Sequence, residues 1–433
     1  MTAHRPSSRR GSAGALAVLL AALAVAPLGC RETPEVSPAA APSPPVVAPS
    51  GHADALPARR PRGLWVLAEG SQRVLDDPAR IPGLIETAQA LGATDLFVQV
   101  YRAGRAWFDS QLADATPWRD ARELAGGSDP LAALIQQSAA AGLRVHAWVN
   151  VLALARNAQA PILATLGHDA VLVDRRGRSL LDYPDYEVPE PDRRYYRMGT
   201  PGLYLDPGAP GVAGQLVATF VELLERYPQL DGLHLDYIRY PDVLPFVPGS
   251  RFGVGLDFGY GEATRARFRL ETGLDAPFGD RIGPANRWDD WRREQVTALV
   301  REIGAAGRIA RPGLQLSAAV WTYADRAYLA LAQDWRGWLE DGLLDFAVPM
   351  AYTLDDRLLR YQAQSFAGLP YGERIWVGLG SWLFASDPGR ALAQIAMIRE
   401  AGSAAEALFS YDSIESEPAL RAALIAAEQP VAE

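Results

Sequence analysis

The chain has 433 residues, 49% of them hydrophobic, and a formal charge of −9 from 42 basic and 51 acidic residues. That length supports a large core, and the acidic balance argues against nucleic acid or an anionic surface as the main partner. A single cysteine rules out an internal disulfide framework.

Arg5, Arg9 and Arg10 precede an apolar run from Ala13 to Leu28. The run is short, so residues 1–29 read as a secretory signal peptide and not a membrane span. Leu28-Gly29-Cys30 resembles a bacterial lipobox, with Pro27 where leucine is usual, which makes Cys30 the lipidated new N-terminus. A soluble exported protein with a spare thiol is the alternative. Loss of residues 1–29 removes three arginines and no acids, taking the charge to about −12. Residues 30–60 carry seven prolines among Ala, Ser and Val, a composition that forms an extended tether reaching roughly 90 Å and no core. Arg31, not aspartate, follows the cysteine, so the expectation is a lipid anchor in the cell envelope, at the outer membrane of a Gram-negative cell.

From Gly63 onward β-rich runs alternate with helical patterns over residues 61–428. Strands are expected at 63–69, 94–101, 143–151, 230–241, 314–321, 344–353, 374–382 and 405–411. Helices are expected at 77–91, 130–141, 210–227, 286–310, 325–339, 356–366, 388–401 and 417–428, with a shorter one at 262–271. Ser128-Asp129-Pro130 is a cap and first turn. Eight strands each followed by a helix predict a (β/α)8 TIM-type barrel with long loops after strands 3 and 4. An open doubly wound sheet is the rival, but no glycine-rich phosphate loop follows the first strand.

In a barrel the active site lies where the strands end. Strand 1 ends in Glu69; strand 2 in Gln99, Tyr101 and Arg102; strand 3 in His146, Trp148 and Asn150. Strand 4 brings His234, Asp236, Tyr237 and Arg239, strand 5 Trp321, strand 6 Tyr352, strand 7 Trp382 and strand 8 Asp412. The strand beginnings look plain. Indoles that stack on sugar rings, with amides and carboxylates for hydroxyls, suit a polysaccharide. His234 and Asp236 fall on the face opposite Leu233 and Leu235, the inward face. An unpaired charge there is costly, so Asp236 is either a functional group or a structural carboxylate paired with Arg239 or another arginine, and His234 either a site residue or a hydrogen-bonded core histidine. Five histidines without a ligand spacing argue against a metal, and no Gly-x-Ser-x-Gly elbow occurs. No cofactor is expected.

Five motifs in order resemble the glycosyl-hydrolase-like 10 family. They are Gln99-Val100-Tyr101 with Ser110 and Pro117-Trp118; His146-Ala147-Trp148-Val149-Asn150; Leu205-Asp206-Pro207-Gly208; Asp231-Gly232-Leu233-His234-Leu235-Asp236 with Tyr240-Pro241; and Trp291-Arg292-Arg293. The resemblance spans roughly residues 61–412. It implies a (β/α)8 fold, export and glycoside hydrolysis, and its members include lipoproteins acting on peptidoglycan glycan strands. Many members carry a second aspartate where this chain has Tyr237.

Glycoside hydrolysis ordinarily takes two carboxyl groups. Asp236 is the first candidate, as general acid, with His146, His234 or Asn150 orienting it or the substrate. Glu69 and Asp412 are the candidates for its partner, and Glu69 could equally be an ion-pair partner of Arg102 or Arg105. Strand 7 offers no acid. A non-catalytic glycan-binding lipoprotein is the second reading and an envelope scaffold the third.

Overall fold

The computed structural model describes residues 60–245, 256–279 and 283–428. The expected signal peptide, the lipidation site Cys30 and the tether up to residue 59 lie outside the described residues.

Eight strands form a closed, all-parallel barrel. They are β1 (Arg62–Val66), β2 (Asp95–Arg102), β3 (Arg144–Asn150), β4 (Gly232–Asp236), β5 (Gln315–Trp321), β6 (Phe346–Met350), β7 (Trp376–Gly380) and β8 (Ala405–Phe409). Each pairs with its sequence neighbour, and β8 pairs back to β1. The covering helices are α1 (Ile81–Ala90), α2 (Pro130–Ala140), α3 (Val212–Arg226), α4 (Ala285–Ala310), α5 (Trp335–Glu340), α6 (Asp356–Ala367), α7 (Pro388–Glu400) and α8 (Pro418–Ala426).

Local chemistry sets these boundaries. Asp129 accepts from the Ala132 N–H and Pro130 opens α2, while Asp355 caps α6 through the N–H groups of Arg357 and Leu358. β8 stops at Phe409, two residues early, because Ser410 forms a reciprocal cap with Ser413 and starts a helix over Tyr411–Glu415. The single helix expected at 325–339 is two, Ala324–Ala330 and α5, because Ala332 turns left-handed and Asp334 caps the second.

Aromatic rings fill the barrel interior. Phe97 stacks on His234 at 4.2 Å and Phe346 on Trp376 at 4.1 Å, with Trp65 and Trp148 in the same cluster. Gly63 and Gly232 make room for them, since a Cβ at Gly63 would sit 2.4 Å from the Phe97 ring and one at Gly232 2.1 Å from His146 Nδ1.

The strand beginnings are not plain. Arg62 and Arg399 both bind Glu406, and Asp95 takes hydrogen bonds from Arg144 and His146 at 2.7 and 2.8 Å. Burial alone would raise the Asp95 carboxyl, but these bonds hold it below its usual range. Charges at the bottom of the barrel are therefore matched in pairs, as suits a stabilising end.

The loops after β3 and β4 are organised by short antiparallel pairs. Ala153–Ala155 pairs with Leu203–Tyr204, and Tyr196–Met198 with Val243–Pro245, so one long loop is stitched to the other. Tyr183 in the first loop is buried and donates to Asp174 at 2.8 Å, a turn anchor that also binds Arg178.

Candidate active site

The register of β3 against β4 sets Asn150 beside Asp236 and Trp148 beside His234. Side chains alternate, so Asn150 and Asp236 rise to the C-terminal rim and Trp148 lies just beneath. A cleft of about 380 Å³ opens there. Its floor is Gln99, Trp148, Asn150 and Asp236; Glu69, Arg102, Tyr237, Arg239, Met350, Tyr352 and Phe409 form its walls.

Asp236 is 7% exposed. Its two oxygens accept separately, Oδ2 from Trp148 Nε1 at 3.2 Å and Oδ1 from the Tyr237 N–H at 2.7 Å. Burial raises its carboxyl above the usual range; the Arg239 charge and these two hydrogen bonds oppose that rise without cancelling it. Gln99 ties the floor together, donating to Asn150 Oδ1 at 3.2 Å and accepting from the Ala68 N–H at 3.3 Å.

Tyr237 holds φ at +50°, a left-handed backbone that costs an ordinary side chain about 1–2 kcal/mol. Asparagine and aspartate tolerate it better, so the second aspartate of the family motif would suit this turn. The turn also aims the Tyr237 N–H at Asp236, and the ring packs against Tyr204 and the Arg239 guanidinium. Tyr352 stands opposite. Burial, and then the Asp236 charge, push its phenol well above the ordinary range, so it stays an O–H donor. Its ring meets Trp382 edge-on at 4.9 Å, and Trp382, 41% exposed, marks the outer rim.

Several residues expected at the site lie elsewhere. His234 is one layer deeper and fully buried, accepting from Trp65 Nε1 at 3.1 Å and facing Ser317 Oγ at 2.8 Å. Burial, with a smaller push from His146, holds it well below its usual range, so it is a neutral ring with its proton on Nδ1. His146 is deeper again, on Asp95. Neither imidazole reaches the cleft, because each sits one or two alternations below the rim. Tyr101 points outward and packs edge-on against Phe220 of α3, since the register slips between Gln99 and Tyr101. Trp321 touches the site only through Arg239.

The two partner acids differ sharply. Asp412 lies beside the cleft wall, not in it. Its Oδ2 accepts the Leu67 N–H at 3.2 Å and its Oδ1 the Gln72 N–H at 2.8 Å, pinning the loop after β1. Glu69 does face the cleft, with one oxygen on Arg102 and the other on Arg105. The ion-pair alternative for Glu69 is thus the arrangement present.

Asp206 of the Leu-Asp-Pro-Gly motif serves the loop layer. It accepts from the Gly208 N–H and from Thr264 Oγ1, both at 2.8 Å, and burial pushes it up to about 6. Among the described residues no group of three or more His, Cys, Asp or Glu side chains could hold a metal.

The sequence of residues 60–365 matches the model of the glycosyl hydrolase-like 10 family. The chain belongs to that family. Among family relatives, the glycosyl hydrolase DigH of Escherichia coli K12 is 24% identical over 373 residues, covering 77% of this chain and 74% of DigH. Among solved structures, the PgaB (BpsB) glycoside hydrolase domain of Bordetella bronchiseptica superposes with a TM-score of 0.57 at 15% identity, covering 84% of this chain and 98% of that domain. The catalytic domain of the Paenibacillus polymyxa β-amylase does so at 0.51 and 14%, covering 86% and 99%. At such identities these likenesses show the fold, a barrel shared with glycoside hydrolases.

Proposed function

We propose that this family member is a glycosidase, exported and tethered through Cys30, that cleaves an envelope or extracellular polysaccharide, with peptidoglycan glycan the first candidate. The supporting observation is Asp236: a carboxyl at the end of β4 that burial raises above the usual carboxylate range, yet on the surface of an open cleft. Such a group can donate a proton to a glycosidic oxygen. Gln99, Asn150 and Tyr352 supply hydrogen bonds for sugar hydroxyls, and the faces of Phe409 and Trp382 supply stacking surfaces. Glu69 is the other cleft carboxylate, held by Arg102 and Arg105 at the wall, where it is placed to stabilise a positive sugar ring.

The test is release of reducing ends from purified glycans, compared between wild type and Asp236→Asn. Loss of general-acid catalysis costs on the order of 10²–10⁴-fold in rate, with glycan binding retained. A wild type that releases no ends from any glycan it binds would overturn the enzymatic reading. The second reading, a glycan-binding protein without turnover, draws on the engagement of both Glu69 oxygens by arginine and on the acid-free end of β7.

A further inference from the structure

Arg239 is 4% exposed and lines the cleft. Among the described residues its one side-chain hydrogen bond goes to the Tyr240 carbonyl at 3.3 Å. Among the described residues it forms no ion pair. The other deeply buried arginines are treated differently: Arg62 binds Glu406 at 2.9 Å, Arg292 binds Asp257 at 2.8 Å, and Arg326 binds Asp242 at 2.6 Å. A guanidinium removed from water without a counter-ion is unfavourable, so a fold that pairs every comparable arginine and leaves this one facing a cavity has left a charge to be met from outside.

We propose that the cleft takes a carboxylate-bearing glycan and that Arg239 is the counter-ion that reads the carboxylate. This rests on the reading of the cleft as a sugar site. The ring centroids of Tyr237 and Trp321 lie 5.0 and 5.5 Å from the guanidinium carbon, so two aromatic faces hold the group in place. Its remaining capacity is in-plane N–H donation, the fork that matches a planar carboxylate. Asp236 does not fill this role: it is not within ion-pair distance of Arg239, and its own burial favours the neutral form.

A second compartment continues the pattern. A cavity of about 360 Å³ beneath the loop after β3 shares Arg102, Asn150 and Tyr237 with the first and adds Arg156. Arg156, unlike Arg239, is exposed to water; it makes a ring contact with Tyr186 and, among the described residues, no ion pair. Glu69 is already matched by Arg102 and Arg105. Arg239 in the cleft and the exposed Arg156 in the adjoining cavity are thus both free of ion pairs among the described residues, in a chain of net charge −9. Screening over about 8 Å at physiological salt makes these near charges, not the distant excess of acids, decide what binds.

Binding is measured by calorimetry in the Asp236→Asn protein, with reducing-end release by wild type followed in parallel. Two matched probe pairs are used: tetragalacturonate and its methyl ester, and the N-acetylglucosamine–N-acetylmuramic acid disaccharide with its lactyl carboxyl free and its methyl ester. At least one acid binds tenfold or more tighter than its ester, and the pair that discriminates identifies a hexuronate or a lactyl source. Adding Arg239→Gln removes that preference; adding Arg239→Lys keeps part of it. Equal affinity for acid and ester in both pairs, no binding of either acid, or a preference that survives Arg239→Gln overturns the proposal. The acid-against-ester comparison needs no arginine variant, so a folding defect cannot obscure it. Discrimination without turnover by wild type leaves this proposal standing and removes the enzymatic one; turnover without discrimination does the reverse.

Discussion

Trp148→Phe separates a general acid at Asp236 from a merely buried one. The indole Nε1–H reaches Asp236 Oδ2 at 3.2 Å and stabilises the ionised carboxylate more strongly than the protonated acid, which is the weaker acceptor. Hydrogen bonds to charged groups contribute about 1.5–3 kcal/mol, and at 3.2 Å the lower end applies. One pH unit corresponds to about 1.36 kcal/mol, so loss of the bond raises the carboxyl by about one unit. If Asp236 must be protonated to act, activity falls on the alkaline side as it ionises. The basic limb of kcat/KM, which reports the unliganded enzyme, then moves up by about one unit. Phenylalanine keeps most of the ring packed against Phe409. The assay is the pH dependence of reducing-end release between pH 4 and 9, for wild type and variant. A basic limb that stays in place, or moves down, refutes the assignment of Asp236 as the proton donor held by Trp148.

Asp412→Asn replaces one of two acceptor oxygens with a donor, against the N–H of Leu67 or of Gln72. It lowers stability by about 1–3 kcal/mol in urea titrations and leaves turnover per folded molecule within a few fold; a thousandfold loss of turnover would return Asp412 to the catalytic pair. Asp206→Asn tests the pH dependence of folding. Its carboxyl sits at about 6 in the folded chain against 3.8 as the ordinary value. The folded state therefore binds the extra proton between these values, and stability falls as pH rises from 4 to 6, by about 3 kcal/mol from this group. The variant removes that fall in urea midpoints measured across the window, and an unchanged slope refutes it.

Much of the fold is written in alternation. Eight β-rich runs separated by helical patterns of the right length have few other closed solutions, and helix caps such as Asp129-Pro130 can be read residue by residue. The site was legible as a set of strand-end residues, with Gln99, Trp148, Asn150, Asp236, Tyr237, Arg239 and Tyr352 brought to one cleft. Its depth was not legible. His234 and Asp236 have the same parity on one strand, yet one is core and the other cleft, because a barrel stacks inward residues in layers. Tyr101 was lost to a register slip that no composition signals. Arg239 was visible as a possible partner for Asp236, and only the packed structure leaves it against two rings without an ion pair among the described residues.

The sequence by itself determined the alternation of elements, the parity of each side chain on its strand and the motifs that define the family, since all of these depend on neighbours a few residues apart. The tertiary structure decided which polar groups are matched. Arg62 meets Glu406 and the Leu67 N–H meets Asp412 across more than 340 residues of chain, while Glu69 meets Arg102 and Arg105 across a rim. Ion pairing and burial depend on distance in space, which barrel closure sets, and so the division between structural carboxylates and the one poised at the cleft emerged only when β8 closed on β1.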